Sequence, residues 1–176
     1  LDAEPASDVL VIGEPKTDPK RYPSLPGARE EARAVAEQLR QRLGEERVRS
    51  MIGSENGDNE LDARRVITEL LSRDWRIIHI AGHGEPADRI GEPRGVVLSN
   101  GTFLGPREIK SMRHVPELVF INCCHGAAAP SSDFLATSAS STYGRAGFAA
   151  NIAKSLIMIG VRCVVAAGWA VDDRES

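Results

Sequence analysis

Two short segments constrain this chain more than any other part of its sequence. Residues 77–85 read Ile-Ile-His-Ile-Ala-Gly-His-Gly-Glu, and residues 118–126 read Leu-Val-Phe-Ile-Asn-Cys-Cys-His-Gly. Each is an apolar run, typical of a strand buried on both faces, followed by a turn of small residues that carries a histidine or a cysteine. We therefore expect an imidazole and a thiol to meet at the ends of two buried strands.

The composition fits one globular unit with a substantial core. The chain has 176 residues, of which 41% are hydrophobic, and its net charge is −3 with both signs interspersed. Such a charge pattern offers no concentrated positive field for nucleic acid or an anionic membrane. No segment approaches the roughly 18 apolar residues of a membrane span. We therefore expect the binding partner to be a small molecule or a protein, and not nucleic acid or a membrane.

The cysteines point to a reducing compartment. There are three, and two of them are adjacent, which does not suit a disulfide framework. The first residues also lack a basic region followed by an apolar run, so we expect a cytoplasmic protein. Adjacent cysteines do not readily ligate one ion, and neither a glycine-rich nucleotide motif nor a P-loop lysine is present. We expect neither a metal nor a cofactor.

Apolar runs alternate with amphipathic stretches along most of the chain, which predicts an α/β fold with a mostly parallel sheet and helices on both faces. A hairpin is expected near 95–104 around Asn100-Gly101, and a mobile loop over 127–144. The expected strands are 9–12, 48–52, 75–81, 118–122 and 161–167, and the expected helices are 28–43, 61–71, a short one after Pro106, and 148–159.

In such sheets the functional groups gather beyond the carboxyl ends of the strands. We expect His83 and Cys124 about two residues past the ends of their strands, in one crevice. Cys123 and Cys124 are consecutive and point to opposite faces in extended backbone, so only one of them can address the site. Cys124, beside the small-residue turn, is the better nucleophile. Cys123, His79 and Cys163 are interpreted as buried structural residues.

A thiol becomes a good nucleophile when a nearby imidazole accepts its proton, and the same imidazole can later protonate a leaving amine. This pairing is the chemistry of acyl transfer. The backbone N–H groups of Gly84 and Cys124 can stabilise the oxyanion that forms. The sequence offers no obvious carboxylate to orient His83, because Glu85 and Asp88 lie in a loop of unknown course. We therefore predict a dyad.

Four ordered segments carry a family resemblance: Leu-Pro-Gly-Ala-Arg-Glu-Glu-Ala at 25–32, the histidine segment at 78–84, the cysteine segment at 118–126, and 160–173 with its Gly-Trp turn. The chain resembles the CHAT domains of the caspase-like cysteine peptidase superfamily over nearly its whole length. The resemblance implies a three-layer α/β/α arrangement and a single domain over 1–176. The chain stops soon after its last strand, so we expect a domain truncated at its C-terminus and cut from a larger multidomain protein.

The same resemblance implies a cysteine endopeptidase that cleaves proteins or peptides through a thioester. His83 would be the base and acid, Cys124 the nucleophile, and the N–H groups of Gly84 and Cys124 the oxyanion hole. It also implies sensor or repeat domains, such as tetratricopeptide repeats, in the full-length chain. The alternative is a catalytically silent CHAT-fold module that acts by binding, because a fold does not establish an activity.

The chain differs from metacaspases, which belong to the same superfamily, at a position that determines which substrate residue they bind. Asn122 stands where metacaspases carry an aspartate that forms a pocket for basic residues, so the resemblance does not transfer a preference for Lys or Arg. Asn122 is expected to line the substrate pocket through its amide. Asp133, in the long loop, is expected to supply charge to the same pocket.

Overall fold

The computed structural model describes residues 8–54, 61–85, 94–124 and 149–167, and it places a seven-stranded sheet at their centre. The strands are β1 (Asp8–Gly13), β2 (Val48–Ile52), β3 (Trp75–Glu85), β4 (Gly95–Val97), β5 (Phe103–Leu104), β6 (Leu118–Cys124) and β7 (Cys163–Ala167). The helices are α1 (Pro26–Leu43), α2 (Ala63–Ser72), α3 (Pro106–Lys110) and α4, which is helical over 149–158. None of these described helices is long and apolar enough to cross a membrane.

Five strands form a parallel sheet in the order β2-β1-β3-β6-β7. The antiparallel hairpin β4-β5 attaches to the carboxyl end of β3. The turn of this hairpin contains Asn100 and Gly101 with φ angles of 58° and 69°. Both angles are left-handed, which asparagine and glycine tolerate best, so the predicted Asn-Gly hairpin is confirmed.

The two faces of the sheet carry separate apolar clusters. Residues Val9 and Val11 of β1 pack with Ala32 and Ala36 of α1 on one face. The alternate residues of β1 lie in the larger cluster on the other face, together with side chains of α2, α3 and α4: Leu10, Ile12, Val66, Leu70, Ile109, Ile152 and Leu156. The predicted three-layer α/β/α arrangement is therefore confirmed.

The helix α1 lies very close to the carboxyl end of β1. A Cβ atom built on Gly13 would lie 2.4 Å from the Cβ of Ala32, well inside the contact distance of two carbon atoms. Small residues on both elements thus allow helix and strand to approach. This packing holds the first turns of α1 beside the sheet edge where the strands end.

Two strands are longer than the sequence predicts. β3 continues past Ala81 to Glu85, and β6 continues past Asn122 to Cys124. The extension follows from pairing: His83 is the ladder partner of Cys124, and Glu85 is the partner of Gly95 in β4. Pairing with neighbouring strands therefore continues into both small-residue segments.

One buried-residue prediction is wrong. Cys163 is exposed, and Val165 of the same strand is 41% exposed. Among the described residues β7 pairs with β6 alone, so its apolar sequence does not bring the burial expected of an inner strand. The expected loop at 127–144 lies outside the described residues.

Adjacent leucines of α2 test this packing, because Leu70 is fully buried whereas Leu71 is 48% exposed. Replacing a buried leucine by alanine removes apolar contacts and leaves a cavity, so we expect Leu70→Ala to lower the free energy of unfolding by about 2–5 kcal/mol. Leu71→Ala is the matched control and should cost less than about 1 kcal/mol. Urea unfolding followed by circular dichroism measures both, and equal losses would contradict the described orientation of α2.

Candidate active site

The predicted base and nucleophile are neighbours across the sheet. β3 and β6 are parallel and pair continuously from Ile77 with Leu118 to His83 with Cys124. Neighbouring strands lie about 4.8 Å apart, so the backbones at positions 83 and 124 are adjacent. The pairing joins two segments far apart in the chain at the carboxyl edge of the sheet, where α/β proteins bind ligands.

The imidazole of His83 is buried, with 3% of its surface exposed, and one ring nitrogen has a defined partner. Nε2 lies 2.6 Å from the carbonyl oxygen of Pro23. A carbonyl only accepts, so Nε2 must carry the hydrogen. In a neutral ring Nδ1 then keeps the lone pair and can act as a base. The orienting group is thus a main-chain carbonyl and not a carboxylate side chain.

The loop that presents Pro23 is braced by Glu14. The Glu14 carboxylate accepts a hydrogen bond from the backbone N–H of Leu25 at 2.6 Å and pairs with the guanidinium of Arg29, whose side chain is 7% exposed. The same guanidinium donates to the hydroxyl of Ser24 at 3.0 Å. Glu14 adopts a left-handed φ of 42°, uncommon for residues other than glycine. These contacts set the position of the Pro23 carbonyl.

A second brace links the loop to the end of β3. The ring of Tyr22 lies against the imidazole of His83, with 5.3 Å between centroids, and its hydroxyl donates to the Glu85 carboxylate. Arg94 donates to the other carboxylate oxygen of Glu85 at 2.5 Å, and Arg21 lies 3.5 Å from the first. A cavity of about 500 Å³ adjoins this cluster, and Tyr22, Glu85 and Arg94 contribute to its wall.

The pKa of Tyr22 is raised and the pKa of Glu85 is lowered in this cluster. Burial, the hydrogen bond to Glu85 and the Glu85 charge raise the pKa of Tyr22 to about 12. Burial alone would raise the pKa of Glu85, but hydrogen bonds from Tyr22 and Arg94 and the charges of Arg94 and Arg21 outweigh it and lower this pKa. At neutral pH the cluster therefore holds a charged carboxylate and a neutral phenol.

Asn122 and His79 share a partner on α1. The Asn122 side-chain amide donates to Oε2 of Glu31 at 2.6 Å, and Oε1 of Glu31 lies 3.1 Å from Nε2 of His79. The His79 ring also stacks on Phe120, with 4.9 Å between centroids. His79 is buried, as predicted, and Asn122 lies on the face of the sheet that α1 covers.

The other predicted site residues divide into described and undescribed ones. Cys123 is 1% exposed within the larger apolar cluster, as expected for a core residue. Gly84 is buried in β3 and pairs with Val96 of the hairpin. Asp133 and Asp88 lie outside the described residues. No group of three or more His, Cys, Asp or Glu side chains is arranged to hold a metal ion in the described ranges.

Sequence reasoning missed the groups that hold the imidazole and the amide in place. A backbone carbonyl such as that of Pro23 has no residue-type signature, so no sequence signal could identify it. Glu14 follows an apolar run and Glu31 lies among charged residues of an amphipathic helix, so both resemble surface carboxylates in sequence. Glu85 was noted near His83, but its Tyr22 and Arg94 contacts depend on the loop course.

The Glu85 cluster predicts a pH-dependent contribution to stability. Its folded pKa lies below the ordinary value of 4.5, so the carboxylate stabilises the fold fully above about pH 4.5. This contribution is lost as the pH falls through the folded pKa. We expect Glu85→Gln to lower the free energy of unfolding by about 1–3 kcal/mol at neutral pH and by much less in acid. Urea unfolding at several pH values measures the difference.

The control for this series is Glu37→Gln, which removes an exposed carboxylate of α1. Its difference from the wild-type chain should stay small and nearly constant with pH, since exposed carboxylates contribute little. A Glu85→Gln difference that does not change with pH would contradict the ion-pair arrangement described for Tyr22, Glu85 and Arg94.

Comparison with known proteins agrees with this architecture. A family model described as CHAT domain matches residues 1–176, the full length of the chain. Comparison with curated protein sequences gives no match, and neither does comparison with solved structures. CHAT domains are related to the caspase-like cysteine peptidases. With its mostly parallel, helix-covered sheet and its full-length match, the chain belongs to the CHAT domain family.

Proposed function

We propose that this chain is a caspase-like cysteine endopeptidase in which Cys124 attacks the substrate and His83 transfers the protons. The observation that carries the proposal is the pairing of positions 83 and 124 on adjacent parallel strands. Residues two apart on a strand share a face, so position 124 belongs to the face of Asn122 and position 83 to the face of His79. Asn122 and His79 both contact Glu31 of α1, so these positions share one face.

The chemistry follows from the tautomer of His83. Nδ1 accepts the thiol proton of Cys124 while the sulfur bonds to the scissile carbonyl carbon. The N–H groups of Gly84 and Cys124 stabilise the oxyanion. When the carbon–nitrogen bond breaks, the imidazolium donates its proton to the leaving amine and a thioester remains. Water then attacks the thioester carbon and gives a proton to His83. The carbon–sulfur bond breaks, the carboxylic acid product leaves, and His83 returns the proton to the sulfur.

The contact with Pro23 supports this role for His83. The imidazolium formed after proton transfer carries a positive charge in a buried position, and the Pro23 carbonyl at 2.6 Å turns its oxygen towards that charge. A fixed dipole of this kind stabilises the charged intermediate without reorganising during the reaction. The Tyr22 ring limits how far the imidazole can rotate, because it contacts the ring directly.

We infer that the substrate binds beside His83, at the carboxyl edge of the sheet. Asn122 is proposed to contact the substrate near the scissile bond, and Asp133 is proposed to add charge. The cavity of about 500 Å³ lined by Tyr22, Glu85 and Arg94 gives space for further substrate residues. We infer that the substrate is a protein or peptide, that attached sensor or repeat domains regulate cleavage, and that the full-length protein acts in the cytoplasm.

Intact-mass labelling with iodoacetamide tests the proposed dyad. The test is made in a Cys163→Ser background, because the exposed Cys163 would otherwise add a second adduct. An ordinary thiol is largely protonated at about pH 6, whereas a thiol activated by an imidazole reacts there. We expect rapid single labelling at this pH, absence of the adduct in Cys124→Ala, and about 10–100-fold slower labelling in His83→Ala.

Peptide cleavage completes the test. A fluorogenic peptide library should be cleaved by the Cys163→Ser chain and left intact by Cys124→Ala and by His83→Ala. Circular dichroism of each variant checks that its fold is retained. Slow labelling that is unchanged in His83→Ala, together with no cleavage, would refute the peptidase and favour a module that acts by binding.

A further inference from the structure

Glu85 and His83 lie on the same side of one strand, and Tyr22 joins them. The two residues are two positions apart on β3, about 6.6 Å along the strand, so their side chains point to the same face. The Tyr22 hydroxyl donates a hydrogen bond to Oε1 of Glu85. The Tyr22 ring lies against the His83 imidazole, with 5.3 Å between centroids and 50° between the ring planes. One phenol therefore contacts both side chains.

The Glu85 carboxylate is itself held in place. Its Oε2 accepts from the guanidinium of Arg94 at 2.5 Å, and Arg21 lies 3.5 Å from its Oε1. The Arg94 guanidinium also lies over the ring of Phe103 in the β4-β5 hairpin, 5.0 Å from the ring centroid. These contacts tie the carboxylate to the hairpin, which gives the Tyr22 hydroxyl an acceptor in a defined position.

The position of Tyr22 also affects the second contact of His83. Pro23 follows Tyr22 directly in the chain, and its carbonyl oxygen lies 2.6 Å from Nε2 of the imidazole. On the other side of Pro23, the backbone N–H of Leu25 donates to a carboxylate at 2.6 Å. The ring of Tyr22 and the carbonyl of Pro23 thus reach the imidazole from adjacent residues of one loop, and Glu85 anchors the first of them.

Glu85 acts through geometry and not through its charge. The guanidinium groups of Arg94 and Arg21 both lie beside this one carboxylate, so little of its negative charge is left to attract an imidazolium. Burial, the hydrogen bond to Glu85 and the Glu85 charge raise the pKa of Tyr22 to about 12. The phenol therefore remains a hydrogen-bond donor throughout the pH range in which histidine titrates.

This anchoring matters because a histidine does not hold its own ring in place. The χ2 torsion of histidine is broad, so the surrounding groups must determine where each ring nitrogen points. A ring that turns about this torsion loses the bond from Nε2 to Pro23 and moves Nδ1 of His83 away from position 124. A reacting group misplaced by about 1 Å can cost roughly 100-fold in rate.

We propose that Glu85 is a positioning residue for His83 and acts through Tyr22. Glu85 anchors the phenol, and the phenol together with the adjoining Pro23 carbonyl holds the imidazole in the orientation and tautomer that proton transfer needs. The inference rests on the proposed peptidase function and adds the residues that control its rate.

Cleavage kinetics with a fluorogenic peptide test this chain of contacts. Tyr22→Phe removes the hydroxyl and keeps the ring, whereas Glu85→Ala removes the acceptor. We expect each variant to lower kcat about 3–10-fold with KM nearly unchanged, because the hydrogen bond serves proton transfer and not substrate binding. The double variant should be about as slow as the slower single variant, since both changes remove the same hydrogen bond.

Glu85→Gln is the rescue variant, because its amide oxygen can still accept from Tyr22. It should recover most of the kcat that Glu85→Ala loses, although neither variant keeps the ion pair with Arg94. Glu37→Ala removes an exposed carboxylate of α1 and is the matched control, which should leave kcat unchanged. Circular dichroism checks the fold of each variant. An unchanged kcat in Tyr22→Phe and Glu85→Ala, with or without a rise in KM, would overturn the proposal.

Nuclear magnetic resonance of the histidine rings separates this inference from the activity. The Cys124→Ala chain is labelled with ¹⁵N-histidine, and the His83 signals are identified by their loss in His83→Gln. We expect one tautomer, with its hydrogen on Nε2, and a mixture of tautomers once Tyr22→Phe or Glu85→Ala is added. If the tautomer depends on Tyr22 and Glu85 but the wild-type chain cleaves no peptide, the positioning stands and the peptidase function fails. An unchanged tautomer in a chain that cleaves peptides would overturn the positioning and leave the peptidase function standing.

Discussion

The parallel pairing of β3 with β6 is the constraint on which the candidate site depends. It starts where Arg76 and Arg162 contact the Glu117 carboxylate and ends where His83 meets Cys124. The distance along the strand is about 20 Å. A slip of one residue would move alternate side chains to the opposite face of the sheet. Apolar contacts on both faces oppose such a slip, so the core fixes which residues share the carboxyl edge of the sheet.

The strand order explains why the loop after β1 serves the histidine of β3. In the order β2-β1-β3-β6, the chain leaves β1 towards one edge and β3 towards the other, which opens a crevice between their carboxyl ends. Glu14 and Tyr22 hold the β1 loop across this crevice, and Pro23 thereby reaches His83. Support for the imidazole therefore comes from packing and from a main-chain carbonyl.

Successive side chains of β6 point to opposite faces of the sheet, so apolar and polar contacts alternate along the strand. Ile121 and Cys123 belong to the apolar cluster on the face of α2, α3 and α4. Phe120 and Asn122 lie on the α1 face, where Glu31 and His79 meet them. One strand therefore packs into the core on one face and places polar groups against α1 on the other. The same alternation buries Cys123 in the core, and position 124, the proposed nucleophile, belongs to the opposite face.

The sequence by itself determined the elements, the α/β class, the family and the choice of His83 and Cys124 as candidates, because periodic burial and small-residue turns are local patterns. The sequence predicted the ends of two strands too early and predicted Cys163 to be buried. Both predictions failed because strand pairing and the covering of an edge strand depend on residues far away in the chain. Only the tertiary structure decided that the Pro23 carbonyl orients His83 and that Glu31 meets Asn122. A main-chain carbonyl has no residue signature, and a contact across 91 positions exists only once helix packing and strand register bring both groups to one edge.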